Sequence, residues 1–376
     1  MEAYLDNSAT TPVCVQAVQA MQQELNITWG NPSSLHRVGL RAEHLLNQSR
    51  AAVAAGLSCA PDEIIFASGG TEANNLAVFG ATAARARQGR RIVTSSVEHS
   101  SIAESCAELA KRGFDVVYLG VDHTGRIRED ELAAAINCET ILVSLMAVNN
   151  EVGTVQPIDA IRRMVRQAGA PALIHCDAVQ AFGKLLIHPQ QLGVDLLTVS
   201  SHKVHGPKGA GALYVRNGVK INPILYGGSQ EKRLRPGTEA MPAVAGFAAA
   251  VAAFPDHAQS LSYVTSLRDR LLAGLHAMPG VYVNSPPDAL PYLTNISVPG
   301  LPSEVMINFL TERNVHVSSG SACAKGAKSR VLQAMGLPDA YVTSALRISL
   351  SRLTVWEEID AFLYTLGEAM ATLLRM

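Results

Sequence analysis

The sequence has little net charge and few charged residues of either sign. Its 31 lysines and arginines against 32 aspartates and glutamates give a formal net charge of -1, and charged residues make up only 17% of 376 residues. Without a basic excess, no direct nucleic-acid partner is expected. Hydrophobic residues make up 48% of the chain, which excludes an intrinsically disordered protein. A large buried core is therefore expected.

The sequence also has no C-x-x-C pair, no secretory signal and no long hydrophobic run. Its six cysteines are scattered, which argues against a disulfide framework or a zinc knuckle. The N-terminal MEAYLDNSATTP contains no basic segment followed by an apolar one. The longest apolar run, residues 243–254, is too short to cross a bilayer. We therefore expect a cytoplasmic protein with no membrane partner.

Strand-like and helix-like segments alternate between about residue 60 and residue 216. Short apolar runs predict buried strands at 63–68, 91–96, 116–121, 141–148, 173–176 and 196–200. Helical spacing occurs at 72–88, 100–112, 129–136 and 158–167. This alternation predicts an α/β fold with a mostly parallel sheet.

The pattern changes after residue 255. Helices are predicted at 260–278, 303–313 and from 355 onward, and strands at 281–284, 295–298, 315–318 and 345–350. This mixture predicts a smaller α+β domain. We assign residues 15–255 to a large cofactor-binding domain, and residues 1–14 and 256–376 to a small domain.

Polar motifs follow five of the predicted strands, in the order SGGTEANN, EHSS, NNEVG, DAVQ and SSHK. The carboxyl ends of parallel strands meet at one edge of a sheet, and ligands bind there. The five motifs therefore predict one site.

Two of these motifs offer groups for a phosphate. In SGGTEANN, Gly70 and Thr71 precede a helical pattern, with Thr71 at the predicted N-cap, and a helix start binds phosphate through its free N–H groups. In SSHK, Ser200 and His202 add donors. An ordinary glycine-rich turn with a threonine cap is the alternative.

The other groups suit an aromatic aldehyde cofactor. Lys203 follows a buried strand and could form a Schiff base with a carbonyl. Asp177 could hold a protonated ring nitrogen, His99 could stack on the ring, and Asn149 and Gln180 could bond its hydroxyl. Taken singly, they also fit a surface lysine, a helix-capping aspartate and a surface histidine. Together they predict pyridoxal 5'-phosphate.

Two further residues point to the substrate. Cys323, in the small-residue segment SSGSACAKG, is expected to be exposed and mobile, with Lys325, Lys328 and Arg330 nearby to favour its thiolate. The alternative is that Cys323 is a loop cysteine without a catalytic role. Arg347 lies in an apolar strand and needs an anion, either a substrate carboxylate or a structural ion-pair partner. Core positions are expected for three other cysteines, Cys14, Cys106 and Cys176.

The motifs extend over the whole chain. They are YLDNSATTP, NPSSLHRVG, SGGTEANN, VEHSSI, NNEVGTVQPI, HCDAVQAFGK, SSHKVHGPKGAGALYVR, GGSQEKRLRPGTE, SSGSACA and LRISLS. With them the chain resembles an IscS/NifS-like cysteine desulfurase of the class V aminotransferase family. That resemblance implies the fold-type I architecture of pyridoxal phosphate enzymes, with a mostly parallel seven-stranded sheet, and a homodimer.

The resemblance also implies residue roles. Lys203 carries the cofactor, and Thr238 of the second subunit joins the phosphate ligands. Arg347 and Asn149 bind the substrate carboxylate, and Asn7 and His36 lie near the mouth of the site. L-Cysteine is converted to L-alanine, with Lys203 moving protons and Cys323 taking the sulfur as a persulfide.

The acceptor of that sulfur is less defined. The residues after Cys323, AKGAKSRVL, are more basic than is common in housekeeping members, and Ala240 replaces a frequent asparagine. We also expect the chain to lack the C-terminal extension of those enzymes. We expect an acceptor protein from iron–sulfur assembly, tRNA thiolation or DNA phosphorothioation, with no resident metal, although Cys323 could ligate an iron–sulfur cluster transiently. Alternatives are a selenocysteine lyase, another pyridoxal phosphate lyase or aminotransferase, and a non-catalytic sulfur-relay subunit.

Overall fold

The computed structural model describes residues 2–319 and 328–373. The strands in these residues are β1 (Ala3–Tyr4), β2 (Ile64–Ala67), β3 (Arg91–Ser95), β4 (Asp115–Leu119), β5 (Thr140–Met146), β6 (Leu173–Asp177), β7 (Leu196–Ser200), β8 (Gly211–Val215), β9 (Tyr282–Val283), β10 (Leu293–Ser297), β11 (Val315–His316) and β12 (Ala345–Ser349).

The α-helices in the same residues are α1 (Val15–Asn26), α2 (Arg37–Gly56), α3 (Gly70–Arg85), α4 (Ser100–Lys111), α5 (Glu129–Ala135), α6 (Ile158–Gln167), α7 (Pro189–Leu192), α8 (Met241–Ala252), α9 (His257–His276), α10 (Ser303–Thr311), α11 (Arg330–Ala334), α12 (Asp339–Val342) and α13 (Trp356–Thr372). A short 3-10 turn, Ser201–Lys203, follows β7.

The main sheet has seven strands in the order β2-β8-β7-β6-β5-β3-β4. Strand β8 is antiparallel to both of its neighbours, and the other strands run parallel to one another. All seven residues of β5 are buried, as expected for a strand covered by helices on both faces. The predicted α/β fold with a mostly parallel seven-stranded sheet is confirmed.

A smaller sheet follows in the order β12-β10-β9, and β1 pairs in parallel with β11. The N-terminal segment therefore packs with the C-terminal part of the chain, as the predicted small domain requires. Side chains of both sheets, among them Val143 of β5 and Ile296 of β10, belong to one hydrophobic core. The domain boundaries stay a prediction.

Two local predictions need correction. Helix α3 begins at Gly70, and its N-cap position is Gly69 rather than Thr71. Gly69 has a φ of 158°, a backbone conformation that residues with a side chain rarely adopt, and connects β2 directly to the helix. Cys14 is only partly buried because it precedes α1 at the surface, whereas Cys106 and Cys176 are buried as expected. In the described ranges, no helix is long and apolar enough to cross a membrane.

Candidate active site

A cavity of about 690 Å³ lies at the carboxyl ends of the parallel strands. The residues that follow β2, β3, β5, β6 and β7 all contribute to its wall, so the predicted convergence of the five motifs is observed. Of the predicted site residues, those that line it are Gly70, Thr71, His99, Asp177, Gln180, Ser200, His202, Lys203 and Arg347.

One end of the cavity is formed by the start of α3 and the end of β7. The first amides of α3, at Gly70 and Thr71, have no acceptor within the helix because they lie in its first turn. The buried Ser200 Oγ has no hydrogen-bond partner among the described residues. Burial lowers the pKa of His202 to about 4, and the charge of Lys203 adds to the effect. This end offers neutral donors, as a phosphate site does.

Asp177 ends β6 and is 6% exposed. Its Oδ2 accepts a hydrogen bond from Asn74 Nδ2 at 2.7 Å, and its Oδ1 accepts one from the Val179 amide at 3.0 Å. No lysine, arginine or histidine in the described part of the chain forms an ion pair with it. A buried carboxylate held only by neutral donors is matched to a cation that arrives with a ligand.

Lys203 lies in the turn after β7 and reaches the N-terminal segment. Its Nζ donates to the carbonyl oxygens of Ser8 at 2.5 Å and Ala9 at 2.7 Å. That segment is held in place by the Thr11 amide, which donates to the His202 carbonyl at 2.9 Å. The lysine amine is therefore fixed at the cavity wall between two ordered backbone segments.

His99 and Gln180 complete the wall around Asp177. His99 precedes α4, its Nδ1 accepts from the Ser101 amide at 3.2 Å, and burial lowers its pKa. Gln180 lies in a turn rather than a helix; its Nε2 donates to the Ser8 carbonyl at 3.0 Å.

Arg347, in β12, is 2% exposed and forms an ion pair, one of the two roles that its sequence position suggested. Its Nη2 donates to Asp6 Oδ1 at 2.9 Å, and its Nη1 donates to the Asn150 carbonyl at 3.0 Å. The ion pair with Asp6 satisfies the structural interpretation. The side chain also borders the cavity, where it can attract a carboxylate.

Four predicted site residues do not line the cavity. Asn149 is fully buried, and its amide holds its own loop by accepting from the Glu151 amide at 2.9 Å. Asn7 ties the N-terminal segment to β12, His36 caps α2 by accepting from the Gly39 amide, and Thr238 is exposed. Their roles toward a ligand stay predictions.

Cys323 and Lys325 lie outside the described residues. Lys328 and Arg330, also named as neighbours of that thiol, line the cavity. No group of three or more histidine, cysteine and acidic residues that could hold a metal ion occurs in residues 2–319 and 328–373.

Sequence reasoning missed two buried polar residues of the site. Asn74 orients Asp177 from the second turn of α3, and its place in SGGTEANN, one turn after Gly70, was the available signal. Glu98 precedes His99; its Oε1 accepts from Ser95 Oγ at 2.7 Å and from the Met146 amide at 3.1 Å. Burial raises the pKa of Glu98 to about 8, and the neighbouring charge of Asp177 adds to the rise.

These groups fit pyridoxal 5'-phosphate. The unpartnered Ser200 Oγ and the α3 amides suit its phosphate, the unneutralised Asp177 suits its ring nitrogen, and the Lys203 amine suits its aldehyde. Ser200 and His202 are close to Lys203 in the chain, and Asp177 ends β6, the strand that pairs with β7.

The family model for class V aminotransferases matches residues 3–362. The chain belongs to the class V aminotransferase family. Within this family it is 40% identical to a protein named cysteine desulfurase IscS from Methanosarcina thermophila, over 99% of this chain and 93% of that protein. The predicted membership of the family, on the side of its cysteine desulfurases, is confirmed.

Solved structures of family members agree. A structure titled NifS-like protein superposes with a TM-score of 0.94 at 35% identity, covering 99% of this chain and 100% of that one. A structure titled SspA in complex with cysteine gives a TM-score of 0.83 at 34% identity, covering 94% and 100%.

Proposed function

We propose that this protein is a cysteine desulfurase that moves sulfur from L-cysteine to Cys323 with pyridoxal 5'-phosphate as its cofactor. One observation carries the proposal: Lys203, the unneutralised Asp177 and the unpartnered Ser200 Oγ surround a single cavity. The names of relatives that share nearly the whole chain support the same reaction.

The cofactor would be held by residues at the ends of four strands, β2, β3, β6 and β7. Gly70, Thr71, Ser200 and His202 would bind the phosphate, and Lys203 would hold the aldehyde carbon. Asp177, oriented by the amide of Asn74, would keep a proton on the ring nitrogen, while His99 would cover the ring and Gln180 would bond its hydroxyl. Asp177 and Ser200 lie at strand ends, and Gly70 and Thr71 at a helix start, which favours a fixed ring position.

When bound, pyridoxal phosphate draws electron density from an attached amino acid and so weakens the Cβ–Sγ bond of cysteine. Arg347 would bind the carboxylate of the substrate, and its ion pair with Asp6 fixes the guanidinium for that contact. The Lys203 amine, released from its carbonyl partners, is placed to take and return protons at the substrate carbons.

Cys323 would act as the sulfur acceptor. Its thiolate forms an S–S bond with the substrate Sγ, the Cβ–Sγ bond breaks, and the electron pair stays with the substrate carbon, which takes up a proton to become alanine. The persulfide on Cys323 then passes its outer sulfur to an acceptor protein. Lys328 and Arg330 at the cavity wall favour the thiolate through their positive charge.

A homodimer in the cytoplasm is part of the proposal. Large apolar side chains are exposed at one stretch of the N-terminal region, with Val15 67%, Ile27 64%, Trp29 70% and Leu35 93% exposed. Large exposed apolar side chains this close together in the sequence favour an interface on this stretch. Thr238 is exposed in its own chain and so is available to the cavity of a second subunit. The described cysteines are all free thiols, as in reducing compartments.

The test is the release of alanine and sulfide from L-cysteine in the presence of a reductant. The wild type should release both in equal amounts, and Cys323→Ala should release neither while keeping the yellow colour of the bound cofactor. Cys138→Ala, which removes an exposed cysteine, is the matched control and should behave as the wild type.

Equal sulfide release from the wild type and Cys323→Ala would contradict the persulfide step and favour a lyase acting directly at the cofactor. An aminotransferase would instead produce a keto acid and no alanine from cysteine. A protein that takes up no cofactor and turns over no cysteine would be a sulfur-relay subunit.

A further inference from the structure

A second lysine is buried behind the active site. Lys184 is 7% exposed, and no carboxylate in the described part of the chain forms an ion pair with it. Its Nζ donates to Gln180 Oε1 at 3.0 Å and lies 5.8 Å from the centroid of the Tyr292 ring. Burying a lysine amine in an apolar interior destabilises the folded protein. We therefore expect Lys184 to have a role other than stability.

Hydrogen bonds connect Lys184 with the active-site lysine. Gln180 accepts from Lys184 through Oε1 and donates through Nε2 to the Ser8 carbonyl at 3.0 Å. The same Ser8 oxygen accepts from Lys203 Nζ at 2.5 Å. Because its oxygen faces Lys184, the Gln180 amide must present its NH₂ group to the Ser8 carbonyl. Lys184 therefore fixes the orientation of the Gln180 side chain. The NH₂ group of Gln180 in turn holds the Ser8 carbonyl that accepts from Lys203.

Lys184 and Lys203 also lie next to the same small cavity. Both line a small cavity of about 30 Å³, which has room for about one water and none for an organic anion. The titratable and charged side chains that face Lys184 are those of His202, Lys203, His205, Tyr292, Arg347 and Arg352, and His257 Nε2 bonds its carbonyl oxygen. None of these groups supplies a negative charge at neutral pH, so a proton on one lysine opposes a proton on the other.

We propose that Lys184 is a positioning residue for Lys203, orienting it through Gln180 and the Ser8 carbonyl and disfavouring a proton on its nitrogen by like charge. This inference rests on the proposed function, in which Lys203 carries the cofactor. Burial lowers the pKa of Lys184 itself to about 7, and the charges of Lys203 and Arg347 add to that shift, in agreement with a coupled pair.

The test is a pH titration of the visible absorption of the cofactor bound to the full-length protein. Lys184→Met removes the charge and the donor, and should raise the midpoint of the titration by about one pH unit. Lys184→Arg keeps the charge and should titrate near the wild type. Lys111→Met, whose side chain is 78% exposed on α4, is the matched control and should not differ from the wild type.

Thermal unfolding of each variant separates a loss of fold from a change in charge. If Lys184→Met does not fold, Lys184→Gln, which keeps a donor for Gln180 without the charge, must show the same rise. A wild-type midpoint in the folded uncharged variant overturns the inference while leaving the proposed function intact. A wild-type protein that binds no pyridoxal phosphate overturns both.

Discussion

Two buried aspartates at opposite ends of the same pair of strands differ in how the protein treats their charge. Asp195 directly precedes β7, and it accepts hydrogen bonds from the Ile174 amide at 2.8 Å and from Arg216, with Arg162 also within 2.7 Å. Asp177 ends β6 and receives only neutral donors. The first charge is neutralised by two arginines, and the second forms no ion pair with a lysine, arginine or histidine of the described residues.

The same contrast applies to the hydroxyl groups. Ser144, inside β5, bonds the fully buried His175 at 2.8 Å, whereas Ser200 at the carboxyl end of β7 has no partner among the described residues. We therefore expect Asp195 and Ser144 to contribute to stability, and Asp177 and Ser200 to contribute to binding. Substitutions at the two ends should separate these properties.

The largest effect is expected for Asp177→Asn. The loss of a buried ion pair with the cofactor ring, worth roughly 3–5 kcal/mol, should lower turnover of L-cysteine by about 10²- to 10⁴-fold. The unfolding temperature of the cofactor-free protein should change little, because no protein cation loses its partner. Steady-state alanine release and thermal unfolding measure the two quantities; full activity would contradict the assigned role.

Asp195→Asn should have the opposite effect, lowering stability and leaving activity unchanged. It leaves Arg162 and Arg216 without their shared carboxylate, and because both arginines are partly exposed we expect a loss of about 3 kcal/mol in the free energy of unfolding. Activity per folded molecule should stay at the wild-type value. Urea unfolding followed by circular dichroism tests this, and a stable but inactive variant would refute the comparison.

Glu98 extends the comparison to pH. Its pKa is raised to about 8 in the folded protein, so the folded state keeps a proton that the unfolded state loses above its ordinary pKa. This contribution to stability is present at acidic pH and is lost as the pH rises toward 8. The free energy of unfolding of the wild type should therefore fall between pH 5 and pH 8. In Glu98→Gln this fall should be smaller by roughly 2–3 kcal/mol. An unchanged slope would contradict the raised pKa.

The smallest effect is expected for the two serines. Ser200→Ala removes an unpartnered hydroxyl, so stability should hold while the affinity for pyridoxal phosphate falls about tenfold, the equivalent of one hydrogen bond to a charged group. Ser144→Ala should instead cost about 1–2 kcal/mol of stability, since His175 loses a partner, with cofactor affinity unchanged. Equilibrium dialysis and urea unfolding distinguish the two outcomes.

Much of the fold follows from the sequence, because the buried strands are continuous apolar runs. Strand β7 and helix α6 have the predicted bounds, while α3 starts two residues earlier than predicted because Gly69, not Thr71, occupies the N-cap. Strand β8 was not predicted, because its five residues form only a short apolar segment that begins at a glycine. Its antiparallel direction could not be predicted either, since an apolar segment does not indicate strand direction.

Residues that line the cavity could be predicted where a polar motif directly follows a strand, as at Asp177 and Lys203. The partners that these side chains find elsewhere in the folded chain could not be predicted. The pairing of Arg347 with Asp6 joins residues 341 positions apart, and the Ser8 carbonyl that meets Lys203 comes from a segment with no regular structure. The motif around Asn149 likewise did not show that its side-chain oxygen accepts from the Glu151 and Val152 amides of its own loop.

The most direct test of the central claim is a single turnover of L-cysteine followed by mass spectrometry of the intact protein and its peptides. The account predicts that the peptide containing Cys323 gains the mass of one sulfur atom, removable by a reductant, with one alanine released for each sulfur gained. Cys323→Ala should gain none, and Cys138→Ala should match the wild type. Alanine and free sulfide formed without any sulfur on Cys323 would contradict the account.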